Sequence, residues 1–158
     1  MKDNMDNNTI SYETTLLINS LCLFENEPFG VLDQNRILSA LSNQFQPYEH
    51  YEQAFASVYK SLIINHGFMN GNKRTAVIAL YVFSLMIDNA LKLNDEQLAA
   101  LTYQIASEGG SHIDVNAIAE QVFTEQVSNN IPNIDFNIKK VVTAFINNHK
   151  WLMEELGK

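Results

Sequence analysis

Apolar positions along this chain recur every three or four residues, and period-two alternation is nearly absent, which predicts an all-α protein. Residues 1–8 are polar and read as a disordered N-terminus. From Ile10 to about Phe24 the pattern is helical, with Leu16, Leu17, Leu21 and Phe24 on one face. Glu27-Pro28-Phe29-Gly30 reads as a turn, and Asp33 as the cap of a short helix carrying Ile37, Leu38 and Leu41. Between Gln44 and His50 the period is lost and Pro47 intervenes, so a loop is expected. Phe55, Val58, Tyr59, Leu62 and Ile63 predict a helix over Tyr51 to Asn65. After a short break a second helix is predicted from about Gly71, closed near Asn89. Between Ala76 and Ile87 it is apolar nearly all round, the pattern of a helix buried at the centre of a domain.

Further on, Leu91 to Ser107 reads as a helix that starts around Asn94-Asp95-Glu96. Gly109-Gly110 breaks the chain. Val115, Ile118, Ala119 and Val122 mark another helix. The stretch 128–135, with Asn129-Asn130 and Pro132, reads as a linker. Phe136 to Leu156 reads as one amphipathic helix, with Val141, Phe145 and Trp151-Leu152 inside it. The domain plan is therefore a helical domain over 9–127, then a linker and C-terminal helix over 128–158 that pack on the domain or on a partner.

Composition narrows the classes. The chain has 158 residues, 46% of them hydrophobic, enough for one domain with its own core. A formal net charge of −8 repels phosphate backbones and argues against nucleic acid as a partner. Cys22 is the one cysteine and lies in an apolar run, so it reads as a buried thiol with no disulfide. The polar, acidic N-terminus does not read as a signal peptide. The longest apolar run falls short of the roughly 18 residues that suggest a membrane span. The cytoplasm of a bacterium is the expected compartment.

Against that acidic background one segment stands out: His66-Gly67-Phe68-Met69-Asn70-Gly71-Asn72-Lys73-Arg74-Thr75-Ala76. It joins the two strongest helical runs. Asn70-Gly71-Asn72 reads as a turn, and either asparagine would serve as a cap. Unpaired N–H groups at the start of the following helix attract anions, and Lys73 and Arg74 add full charges. An imidazole exchanges protons near neutrality, so His66 suits a general base. A base beside a phosphate cradle points to transfer of a phosphorus group to a hydroxyl. A Walker A loop does not fit, because it needs glycine directly before lysine and Asn72 precedes Lys73.

The same string resembles the core signature of the Fic/Doc family, HxFx(D/E/N)xNxR. It is most similar to the death-on-curing (Doc) branch, HxFxDANKRTA, through His66, Phe68, Asn72, Lys73, Arg74, Thr75 and Ala76. The resemblance implies a Fic/Doc-like helical bundle with a buried central helix and a short flap before the signature helix pair. By position that flap is Phe45, Gln46, Pro47 and Tyr48, and it would hold the target protein's backbone. His66 would take the proton of a target Ser or Thr hydroxyl. Gly71 and Asn72 fall in the family's anion hole, and Arg74 matches its first arginine. Asn70 stands where the family has a Mg²⁺-binding acid. Its amide oxygen is a possible ligand but brings no charge.

Lys73 replaces the glycine of adenylyl-transferring members, and Val77 replaces their second arginine. Both features resemble Doc, in which the γ-phosphate faces the target hydroxyl. Gly71, where Doc has alanine, is the Fic-like choice. Ser20 and Glu25 stand one residue too far apart for the family's self-inhibitory signature, (S/T)xxxE(G/N), and read as coincidence. What the resemblance implies is a toxin that moves the γ-phosphate of ATP, with Mg²⁺, to a cellular protein (elongation factor Tu in Doc), held in check by a separate antitoxin. Two alternatives stand beside it: AMP transfer on the same fold, and an inactive binding or regulatory module because Asn70 replaces the acid.

Overall fold

The structure is a computed structural model that describes residues 9–107, 110–124 and 137–158. Eight α-helices are found there: α1 Tyr12–Cys22, α2 Gln34–Ser42, α3 Tyr51–Asn65, α4 Asn72–Met86, α5 Asp95–Ala106, α6 Val115–Val122, α7 Ile138–Asn148 and α8 Lys150–Leu156. Two 3₁₀ turns, Asn43–Phe45 and Gly110–His112, follow α2 and α5. The expected all-α bundle is what forms. The N-terminus 1–8, the first glycine of the Gly109-Gly110 break and the linker 128–135 lie outside the described residues.

Polar side chains fix several helix starts. Ser11 Oγ accepts from the Thr14 amide at 3.0 Å, and Asp33 Oδ1 from the Asn35 amide at 2.9 Å. Asn94 and Gln97 exchange side-chain and backbone bonds in a capping box. Each bond satisfies an amide that the helix itself leaves open.

The central pair is α3 and α4. Along α4 the side chains from Ala76 to Leu80, with Val82 and Phe83, are all buried, which accounts for the absence of a polar face in that run. Phe55 of α3 stacks on Phe83 of α4, with ring centroids 3.9 Å apart. Burying a side chain of that size stabilises the fold by about 1.5–3 kcal/mol. Helices α2 and α6 pack on α3, while α1 and α7 pack on α4. Helix α5 rests on both members of the pair, and α8 closes over α5. The phenol of Tyr59 is fully buried and shares a 2.7 Å hydrogen bond with Thr102 Oγ1 of α5. Loss of water pushes its pKa above the usual phenol range, so it stays neutral.

Three boundaries differ from the pattern-based expectation. The stretch before Asp95 is not helical. Leu91 forms an isolated antiparallel bridge with Phe123, and the Lys92 amide donates to Val122 O. At the end of α4, Asp88 rather than Asn89 takes the left-handed conformation, with φ of 51°. The final helix is two helices, divided at His149. That ring stacks on Phe145 and meets Asp95 Oδ1 at 2.9 Å, and these contacts turn the chain so that α8 returns over α5. The bend buries Leu152 and leaves Trp151 on the outside.

Candidate functional site

Helix α3 ends at His66, which takes the left-handed conformation (φ 51°, ψ 55°). A residue with a Cβ pays for that geometry in backbone strain of about 1–2 kcal/mol. The following residues hold it in place. Gly67 packs on Ile37, where a Cβ would come within 2.5 Å of Cγ1, and its carbonyl accepts from the Leu32 amide at 2.8 Å. Phe68 is buried, bridges to Val31, and anchors the loop in the core as its apolar character suggests. The Met69 amide donates to Gly30 O at 2.9 Å. The segment 30–33, legible in sequence as the end of a turn and a helix cap, therefore runs beside the loop.

Asn72 is the clamp. It is the first residue of α4 and is buried. Its Oδ1 accepts from the Phe68 amide at 2.9 Å, while its Nδ2 donates to Phe68 O at 2.8 Å. The second N–H of the same amide lies 3.4 Å from His66 Nδ1. One side chain thus folds the loop back on itself and reaches the imidazole. A contact that long resists a tautomer change only weakly, so either ring nitrogen is available as a proton acceptor. With its amide so engaged, Asn72 offers an anion its backbone N–H rather than its side chain.

Neither asparagine of the turn caps α4. Gly71 is the N-cap, with φ of 79° and no side chain to lend. A Cβ there would press on Asn19 Nδ2 at 3.1 Å and Leu23 Cδ2 at 3.3 Å, so glycine is required by backbone and packing together. Asn19 of α1 donates to Asn70 O at 2.8 Å and to Thr75 Oγ1 at 3.0 Å, tying α1 to both sides of the turn. Cys22 lies in the same buried cluster. Desolvation pushes its thiol up to about 11, against a smaller opposing effect of Thr75, and leaves it an inert structural thiol.

The four polar residues that follow His66 part ways. Asn70 donates from Nδ2 to Pro28 O at 3.1 Å, toward the 27–30 turn. Arg74 is 2% exposed. Its guanidinium makes two parallel bonds to Glu27, at 2.9 and 2.8 Å, donates to Cys22 O, and lies over the Phe24 ring at 4.1 Å from its centroid. Hydrogen bonding from Arg74 holds the Glu27 carboxyl below its ordinary range. Arg74 thereby binds the 24–27 turn to α4 and turns no charge toward His66. Glu25, two residues away, is exposed.

Lys73 turns the other way. With His66, Asn72, Ile64 and Ser107, it lines a cleft of about 360 Å³ between the loop and the end of α5. That volume is at the low end for small-molecule sites. The first bond inside α4 is from the Thr75 amide to Gly71 O, and among the described residues no acceptor meets the amides of Asn72, Lys73 and Arg74. Base, cation and open helix tip therefore belong to one concavity. The expected flap does not join them. Phe45 ends a 3₁₀ turn, and beyond it Gln46 and Tyr48, on either side of Pro47, line a separate hollow with Tyr51 and Ala54 at the N-terminal end of α3. His66 is at the other end of that 15-residue helix, about 20 Å away by helix rise.

Mg²⁺ finds a poor donor set here. It is held by one or two carboxylates with substrate phosphates, and this loop supplies only the neutral Asn70 amide, whose nitrogen is already tied to Pro28 O. Among the described residues no group of three or more His, Cys, Asp or Glu side chains gathers as metal ligands do. The protein's own donors do not fit the metal.

Sequence reasoning missed Glu27, Asn19 and Ser107. Glu27 was legible only as part of a turn, since nothing in spacing links it to an arginine 47 positions on. A model of the Fic/DOC family matches residues 13–84, from α1 through most of α4 and just short of half of the chain. No curated protein and no solved structure matches the chain.

Proposed function

We propose that this chain is a Fic/DOC-type transferase that moves the γ-phosphate of ATP to a Ser or Thr hydroxyl of a cellular protein. The observation that carries the reading is the shared cleft: His66, Lys73 and the open tip of α4 line one concavity, in the segment that the family model matches. His66 accepts the hydroxyl proton as the hydroxyl oxygen attacks the γ-phosphorus. The bond from phosphorus to the bridging oxygen breaks, and ADP departs. The Lys73 ammonium and the amides at the start of α4 stabilise the charge on the phosphate oxygens. Arg74 supports this site by holding the 24–27 turn against α4, and the phosphate contacts fall to Lys73 and the backbone.

In this reading the protein is a Doc-like toxin, its target is a protein such as elongation factor Tu, and a separate antitoxin restrains it. Purified protein with γ-labelled or α-labelled ATP and a bacterial extract tests the chemistry. Label from the γ-position alone, absent with His66→Ala, supports phosphoryl transfer. Label from the α-position alone replaces that reading with AMP transfer.

A second reading has its own observation. Asn70 brings no carboxylate and Arg74 is occupied by Glu27, which suits a binding or regulatory module without catalysis. Growth arrest on expression that His66→Ala abolishes counts against the module. The same growth with either form supports it.

A further inference from the structure

Lys73 stands in the first turn of α4, where the helix dipole disfavours a cation. Its stem is long and flexible, and nothing on α4 itself would keep the ammonium at the cleft. The partner found for it among the described residues is an aromatic face: Nζ lies 5.5 Å from the ring centroid of Tyr103 on α5. That ring is fixed in turn. The Tyr103 hydroxyl donates to the backbone carbonyl of Glu155, in the last turn of α8. A chain of two contacts therefore runs from the C-terminal helix to the rim of the cleft. Both Tyr103 and α8 fall outside the segment matched by the family model.

We propose that Tyr103 is a positioning residue that holds the Lys73 ammonium at the cleft rim, and that α8 sets the ring through its hydroxyl. The inference rests on the reading of the cleft as a polyphosphate site. A cation–π contact orients an ammonium while leaving N–H groups free on the side away from the ring. Much of the ammonium's freedom of movement is then lost before a phosphate arrives, so less is lost on binding.

The test uses the full chain and measures binding of ATP and of inorganic triphosphate by calorimetry. Tyr103→Leu is expected to weaken both about two- to fivefold, the size of one exposed cation–π contact. Tyr103→Phe keeps the ring but loses the bond to Glu155, and is expected to weaken both by less than Tyr103→Leu does, with a lower Tm; binding equal to the wild type by Tyr103→Phe overturns the part assigned to α8. In a Lys73→Met background, Tyr103→Leu is expected to change nothing further, because the two residues act as one unit. Equal weakening in that background, unchanged binding, or tighter binding by Tyr103→Leu overturns the inference while the cleft reading stands. A wild-type protein that binds neither ligand removes the cleft reading and the inference with it. If Tyr103→Leu does not fold, NMR of the wild type decides. The Lys73 ε-methylene signal is expected upfield from the ring current and to stay there with triphosphate bound, and its return to the random-coil position on binding overturns the proposal.

Discussion

The guanidinium of Arg74 and the carboxylate of Glu27 meet in two parallel hydrogen bonds of 2.9 and 2.8 Å, with the guanidinium buried and the carboxylate partly open to water. Removing one member of such a pair leaves the other buried without compensation. Glu27→Gln is expected to cost about 3 kcal/mol, measured by chemical denaturation at neutral pH. The acid limb tests the same pair. Glu27 has a lowered folded pKa, so its stabilisation is full above the ordinary value of 4.5 and is lost as pH falls through the folded value. Between pH 5 and 3 the wild type is expected to lose more stability than Glu27→Gln. Parallel acid profiles for the two proteins would mean that the bond contributes little.

His66 separates chemistry from folding. His66→Ala is expected to abolish transfer. His66→Gly is expected to do the same while raising stability by about 1 kcal/mol, because glycine adopts the positive φ without strain. Melting curves beside a labelled-ATP assay check both. Residual transfer by either variant above a few per cent of wild type would count against the imidazole as base.

Asn72 makes a different prediction. Asn72→Ala leaves the Phe68 amide and carbonyl without partners in a buried place, at a cost of about 1–3 kcal/mol for each group. Both Tm and transfer are expected to fall. Asn72→Asp is expected to fare no better, because an ionised carboxylate has no hydrogen to give to Phe68 O. Transfer that survives in a protein of normal Tm would show that the loop holds its shape without the clamp.

Lys73 is expected to matter for the nucleotide and not for the fold. Lys73→Met removes the charged side chain that this loop turns toward the cleft, and KM for ATP is expected to rise about ten- to hundredfold, the worth of a hydrogen bond to a charged group. Its Tm is expected to stay within about 2 °C of the wild type, or to rise slightly as an unfavourable cation leaves the helix start. A KM that does not move would take the phosphates away from this side chain.

The helices were legible because their apolar faces are continuous in sequence. The run from Ala76 to Ile87 announced a buried central helix, and it is one. The break at His149 was not legible, since it depends on Asp95 and Phe145 meeting one ring from two different helices. In the site, the string from His66 to Arg74 marked the loop, but a string does not tell which way each side chain turns. Lys73 and Arg74 are neighbours in sequence and point to opposite sides of α4, one over Tyr103 and the other onto Glu27. By resemblance Gly71 was placed in the anion hole. Its positive φ and its contact with Asn19 and Leu23 give another reason for glycine there, visible only once α1 is in place.

The wall of the cleft opposite His66 is built from Ile105, Ala106, Ser107 and Gly110, all beyond the last residue that the family model matches. A minimal fragment cut at residue 84 would retain the base and the ammonium but lack the surface facing them. It would also bare the flank of α4 on which α5 and α7 rest, and such an excised piece is expected to precipitate rather than bind.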